Sequence, residues 1–183
     1  MKTVISLLRG INVGGKNKLA MTDLKALCGS LKFTKVNTFI QSGNIVFSSG
    51  LEDLKEVSVK LESGIYKRFG LKVPVISRDV QELEQAISRN PFLKDNGRQE
   101  ESLYITYMES APKPDEINKI SGFSVPTDEF RIIGRQVYIY CPGGYGNTKL
   151  NNNFFENKLK VRATTRNLKT SKTLLDMALS LGY

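Results

Sequence analysis

Val4-Ile5-Ser6-Leu7-Leu8-Arg9-Gly10-Ile11-Asn12-Val13-Gly14-Gly15-Lys16-Asn17 is the stretch on which the fold turns. An apolar, strand-like run passes directly into three glycines, two cations and two carboxamides, and an amphipathic helical pattern follows. A loop held between a strand and a helix can present backbone N–H groups and positive charge to an anion. Gly10 to Lys16 even has the spacing of a phosphate-binding loop, but Asn17 stands where a Ser or Thr hydroxyl should reach magnesium. That argues against a nucleotide triphosphatase.

Outward from this loop, apolar residues at three- and four-residue spacing predict a helix over about 22–31, with Asp23 in its first turn. Val36–Gln41 and Asn44–Ser48 are β-rich runs about a tight turn at Ser42-Gly43. A helix over 51–69 stops at Gly70, Val73–Ile76 reads as an edge strand because of Pro74, and Asp79 caps a helix that ends before Asn90-Pro91-Phe92. Residues 93–101, charged and containing Asn96-Gly97, are the expected linker.

The remainder repeats the order: strand 102–108, short helix 114–120, strands 129–133 and 136–141, glycine-rich loop 143–148, helix 149–159, strand 161–164, and a last helix capped by Asn167. Sequence identity between the halves is negligible, so the repeat is one of elements. The expectation is an α/β (α+β type) protein of two ferredoxin-like β-α-β-β-α-β units in tandem, each with an added helix. Their expected bounds are 1–92 and 102–183, joined by 93–101.

Histidine is absent, which excludes Ser-His-Asp and Cys-His nucleophiles and His-containing zinc sites. The net charge of +9 is concentrated: Lys and Arg outnumber Asp and Glu by 7 to 1 over residues 1–50 and by 7 to 2 over 145–183, against 13 to 15 between them. A solvated basic surface and a phosphate-facing patch both follow from that bias. Cys28 and Cys141 lack paired spacing and read as buried thiols. No apolar run approaches the roughly 20 residues of a membrane span, and no signal-peptide pattern is present, so the expected location is cytoplasmic.

In a β-α-β-β-α-β unit the first two strands run the same way. The loop after the first strand therefore lies beside the hairpin between the second and third, and Arg9, Asn12, Gly14, Gly15, Lys16 and Asn17 should neighbour Gln41, Ser42 and Asn44. By the same argument Tyr145 and Lys149 should lie near Thr164, Thr165, Arg166 and Asn167, taken as the loop after the fourth strand. Neither set shows a nearby acid, which argues against a metal held by carboxylates. Each group also has a structural reading: turn closure for Gly14, Gly15, Gly43 and Asn44, an ion pair for Arg9, an N-cap for Asn167. Tyr104, Tyr107, Tyr138 and Tyr140 alternate along strands, so at least one of each pair is expected in the core, with a base-stacking platform as the alternative.

Leu8-Arg9-Gly10-Ile11-Asn12-Val13-Gly14-Gly15, Phe39-Ile40-Gln41-Ser42-Gly43-Asn44-Ile45-Val46-Phe47, Pro91-Phe92 and Ala163-Thr164-Thr165-Arg166-Asn167 resemble the bacterial family catalogued as domain of unknown function 1697. The resemblance implies an α/β fold of ferredoxin-like character and no established reaction, cofactor or partner. One departure stands out: the family usually has Trp after the Arg-Asn pair, where this chain has Leu168. A packing role for that position is the preferred reading.

The first functional expectation is binding of a phosphate-bearing ligand, nucleic acid or nucleotide, through Arg9, Lys16, Lys149, Arg166 and the glycine-loop amides. No cofactor, metal or membrane partner is expected. The alternative is a histidine-free enzyme on a small anionic substrate, with Lys16 or Lys149 as stabiliser or desolvated base and Asn12, Gln41 and Asn44 orienting the substrate. A third reading is a homo-oligomeric interaction protein pairing through a sheet edge.

Overall fold

The computed structural model describes residues 1–95 and 97–182. The first half runs β1 (Lys2–Leu8), α1 (Met21–Ser30), β2 (Thr34–Phe39), β3 (Asn44–Ser49), α2 (Leu54–Phe69) and β4 (Val75–Asp79). Its sheet has the order β2-β3-β1-β4, antiparallel throughout. After α3 (Val80–Ser88) the pattern returns as β5 (Leu103–Met108), α4 (Pro114–Asn118), β6 (Glu129–Ile133), β7 (Gln136–Tyr140), α5 (Asn152–Leu159) and β8 (Ala163–Asn167), followed by α6 (Leu168–Ser180). The second sheet has the matching order β6-β7-β5-β8. The protein is thus mixed α/β, with two four-stranded antiparallel sheets and six α-helices among the described residues.

The chain divides into Met1–Glu84 with Thr173–Tyr183, and Gln85–Lys172. This division falls inside α3 and α6, whereas the sequence suggested bounds of 1–92 and 102–183 about a linker at 93–101. Both helices are continuous, and a boundary inside a helix leaves no mark in composition. Of the expected linker, Asn96 lies outside the described residues; its surroundings hold 3-10 turns at Pro91–Lys94 and Glu100–Ser102.

In the first unit Val4, Leu8, Ile45, Phe47 and Val75 meet Leu24, Leu27, Val57, Leu61 and Ile65 of the helices. Asp53 starts α2 by accepting from the Lys55 N–H, and Gly70 ends it in the left-handed conformation, as its sequence dictates. In the second unit Met108, Val137, Ile139 and Ala163 meet Phe155 and Leu159. The other face of each sheet is buried too: Ile5, Leu7, Val46 and Ile76 in one, Ile105, Tyr107 and Tyr138 in the other. Tyr107 and Tyr138 are therefore the core members of the tyrosine pairs.

β4 and β8 differ from expectation. Both run further, through Ser77-Arg78-Asp79 and through Thr164-Thr165-Arg166-Asn167, so the latter segment is strand and not the loop after it. These tails are polar on both faces, and hydrophobic alternation is the signal that would have revealed them.

The same tails show that residues as well as elements repeat. The Ser77 hydroxyl pairs with Ser6 on the neighbouring strand and Ser58 on α2, each at 2.8 Å. Thr165 pairs likewise with Thr106, and with Asn152 on α5, at 2.7 Å each. The buried Arg78 donates to the Ser77 carbonyl and the buried Arg166 to the Thr165 carbonyl, both at 2.9 Å. Asp79 and Asn167 accept from N–H groups three residues on. Glu62 and Glu156 each hold the first N–H of β4 or β8, at 2.8 Å.

Cys28 and Cys141 are free and buried, and burial pushes both thiols up to about 12 from an ordinary 9.0, with Asp128 contributing for Cys141. Neither should react with a disulfide reagent in the folded protein at mildly alkaline pH, and both should react once it is unfolded. Because the folded state retains these protons longer, stability should fall as pH rises from about 9 towards 12. Denaturant midpoints measured across that window check it; a midpoint unchanged through it would refute the assignment.

Candidate functional site: the loop end of the first sheet

The loop after β1 and the β2–β3 turn come together as their topology requires. The Leu8 N–H donates to the Gly43 carbonyl at 2.8 Å, and the Asn12 amide nitrogen donates to the Gln41 carbonyl at 2.8 Å. Asn12 also donates to the Leu19 carbonyl and accepts from the Leu19 N–H, at 2.8 and 2.9 Å. Val13 and Lys16 pair as a miniature hairpin whose corners are Gly14 (φ +58°) and Gly15 (φ +74°), a geometry glycine adopts without steric cost. Asn17 donates to the Gly10 carbonyl at 3.0 Å. The fully buried Asn44 donates to the Phe39 carbonyl and the Ser42 hydroxyl, at 3.0 Å each.

Asn12, Asn17 and Asn44 thus brace the loops, and their amides are committed to that task. What the bracing presents to solvent is different: Lys16, Lys18 and the Gln41 side chain, the bare Gly14-Gly15 corner, Val13 at 62% exposure and Ile40 at 51%. Arg9 is half-buried, and its N–H is tied to the Pro74 carbonyl at 2.9 Å. Ile40 holds φ +50°, where a β-branched residue is strained by roughly 1–2 kcal/mol. Nothing in the sequence marks Ile40; Lys18 was legible only as part of the basic N-terminal bias.

The loop of the second unit is also closed on itself. Asn147 donates to the Gly143 carbonyl, Tyr145 to the Thr165 hydroxyl at 2.9 Å, and the Tyr145 ring lies 5.1 Å from that of Tyr104. Thr148 donates to Asp128, which brings a carboxylate beside this loop and corrects the expectation that no acid stands near it. Asp128 is distant in sequence, and only the fold reveals it. Lys149 is exposed. Thr164 is buried and accepts from Arg166, Asn167 caps α6, and Arg166 is only 8% exposed. Burial lowers the Arg166 pKa to about 10, against the opposing influence of Tyr107 and Tyr145. Arg166 is thus an interior group. Leu168 is fully buried, the environment of a packing residue.

Among the described residues no group of three Cys, Asp or Glu is placed to hold a metal ion, and no helix is long and apolar enough to cross a membrane.

The architecture defines a class: two α/β units, each built on a four-stranded antiparallel sheet of the same strand order. The chain belongs to the family described as "Protein of unknown function (DUF1697)", which matches residues 1–138. The loop end of the first sheet lies inside that match, and the Thr164–Asn167 segment lies beyond it. Among solved structures the chain is similar to the conserved bacterial protein SP0830 from Streptococcus pneumoniae, at 22% identity and a TM-score of 0.74, covering 97% of this chain and 98% of that one. That likeness is one of fold. A search of the curated proteins found no match.

Proposed function

We propose that the protein binds a phosphate-bearing ligand, nucleic acid or nucleotide, at the loop end of its first sheet. The observation that carries this reading is a braced loop that holds Lys16 and Lys18 outward, in a segment whose cations Arg9, Lys16 and Lys18 all precede the first carboxylate of the chain, Asp23. Bracing lowers the ordering cost of binding, and unpaired lysines release counterions when they meet phosphates. The sheet faces are not offered as a base-stacking platform, because both are buried. Lys149 is a lesser candidate, since the loop before it has Asp128 at its side.

Two other readings lose support. A desolvated lysine base requires burial, and Lys16 and Lys149 are exposed. Edge-to-edge pairing is discouraged at one edge of each sheet: at β2, where a bulge lies between Thr34 and Asn37 with Lys35 at φ +51°, and at β6, where Arg131 covers the Phe130 carbonyl.

The test is fluorescence anisotropy with labelled single-stranded RNA, and with labelled nucleotides, over a range of salt. The double variant Lys16→Ala/Lys18→Ala should weaken binding and reduce the slope of log affinity against log salt by about 1.4, the value for two lost phosphate contacts on a single strand. Salt-independent binding, or an unchanged slope in the variant, would sink the reading.

A further inference from the structure

A second constellation, in the second unit, owes nothing to the loop end. The Phe92 ring lies 6.4 Å from that of Tyr140, and the Arg98 guanidinium sits 4.7 and 4.3 Å from the two ring centres. Arg98 is tied through Nε to Asp95 and through Nη2 to Glu129, each at 2.8 Å, which leaves Nη1 buried without a hydrogen-bond partner. Asn90 and Tyr138 lie two residues before Phe92 and Tyr140 in the chain. Asn90 is 2% exposed, its oxygen accepts from the Phe92 N–H, and its amide nitrogen has no partner. Tyr138 is 0% exposed, and its hydroxyl has none either.

These three groups share one chemistry. An amide nitrogen and a guanidinium nitrogen can only donate, and a tyrosine hydroxyl can donate. The acids paired with Arg98, Asp95 and Glu129, are committed to it, and Glu129 also to Arg131. The surroundings add positive charge: Arg131 is the cross-strand neighbour of Tyr138, and Arg89 is exposed beside Asn90. Buried donors around an excess of arginine match a group with several lone pairs and a negative charge.

We propose that Asn90 Nδ2, Tyr138 Oη and Arg98 Nη1 form a seat for a small oxyanion, a carboxylate or a phosphate group, with Arg89 at its rim. Burial raises the Tyr138 hydroxyl from an ordinary 10.0 to about 12, with Arg89 opposing, so the group remains a donor at neutral pH. The aromatic pair holds Arg98 in place, and the ion pairs fix which of its nitrogens is left for the anion. This seat is independent of the lysines at the first sheet.

The experiment is isothermal titration of the full chain with inorganic phosphate and, separately, with acetate, at matched ionic strength. Wild-type protein should bind one of the two, and which one identifies the oxyanion. Tyr138→Phe, which removes only an oxygen, and Asn90→Ser, which keeps a side-chain oxygen for the turn, should each weaken binding about tenfold, the loss of one charge-assisted bond. Repeating the titrations in the Lys16→Ala/Lys18→Ala background removes any phosphate held by the loop of the first sheet, and the losses caused by Tyr138→Phe and Asn90→Ser should persist there, which separates failure here from failure of the loop reading. Absence of binding to either anion at millimolar concentration, or unchanged affinity in Tyr138→Phe, would overturn the proposal; so would a high-resolution structure in phosphate with only water against the three donors.

Discussion

Gly43→Ala is expected to destabilise the first unit by about 4 kcal/mol. Gly43 holds φ +77°, where an L-residue is strained by roughly 1–2 kcal/mol. A Cβ there would also stand 2.6 Å from Ile11 Cδ1, 2.7 Å from Leu8 Cβ and 2.8 Å from Ile11 Cγ1. Leu8 and Ile11 are fully buried, so neither has room to yield, and overpacking of that kind adds roughly 1–3 kcal/mol. At roughly 2–4 °C per kcal/mol for a chain of this length, the melting temperature should fall by roughly 10 °C. Gly14→Ala is the control. It shares the positive φ but would meet nothing within 4 Å, so it should show the conformational part alone, about 1–2 kcal/mol. Equal losses in the two variants would mean that the close approach at Gly43 is relieved at no cost.

The second large effect is expected at Thr165. Its hydroxyl is the shared partner of Thr106, Tyr145 and Asn152. Thr165→Val keeps the shape and removes the node, and polar groups stranded in a part-buried site cost roughly 1–3 kcal/mol each. A loss of about 3 kcal/mol is expected by denaturant titration, some of it offset by solvent at this half-buried position. Thr165→Ser should cost under about 1 kcal/mol, the scale of strand propensity alone. The molecule already contains that variant in effect, since Ser77 joins Ser6 and Ser58 at the equivalent place in the first sheet. If Val and Ser were tolerated equally, the hydroxyl network would be incidental to stability.

These two residues also mark what the sequence disclosed and what it concealed. Gly43 was legible: a Ser-Gly pair between β-rich runs announces a turn, and the strand order around it follows from the β-α-β-β-α-β pattern. The course of β8 through Thr165 was not. Hydrophobic periodicity finds strands whose one face is apolar, whereas β4 and β8 end with hydroxyls on one side and a buried arginine on the other. The candidate site was half legible for a related reason. Asn12 and Asn44 look like ligand carboxamides in sequence, and only their hydrogen bonds show that they hold the loops together. Lys16 was singled out by its charge. Ile40 was missed because a left-handed backbone at a β-branched residue contradicts every local propensity and is imposed by the fold.

The division of α6 has a consequence for the order of events on the ribosome. The Thr3 hydroxyl donates to the Gly182 carbonyl at 2.6 Å, and the Lys35 ammonium to the Leu181 carbonyl at 3.2 Å, so residues at the far end of the sequence complete the first unit. During synthesis the nascent chain presents β1 to β4 long before these partners emerge, and all of Gln85–Lys172 is made in between. The half that is translated first is therefore the half that is finished last.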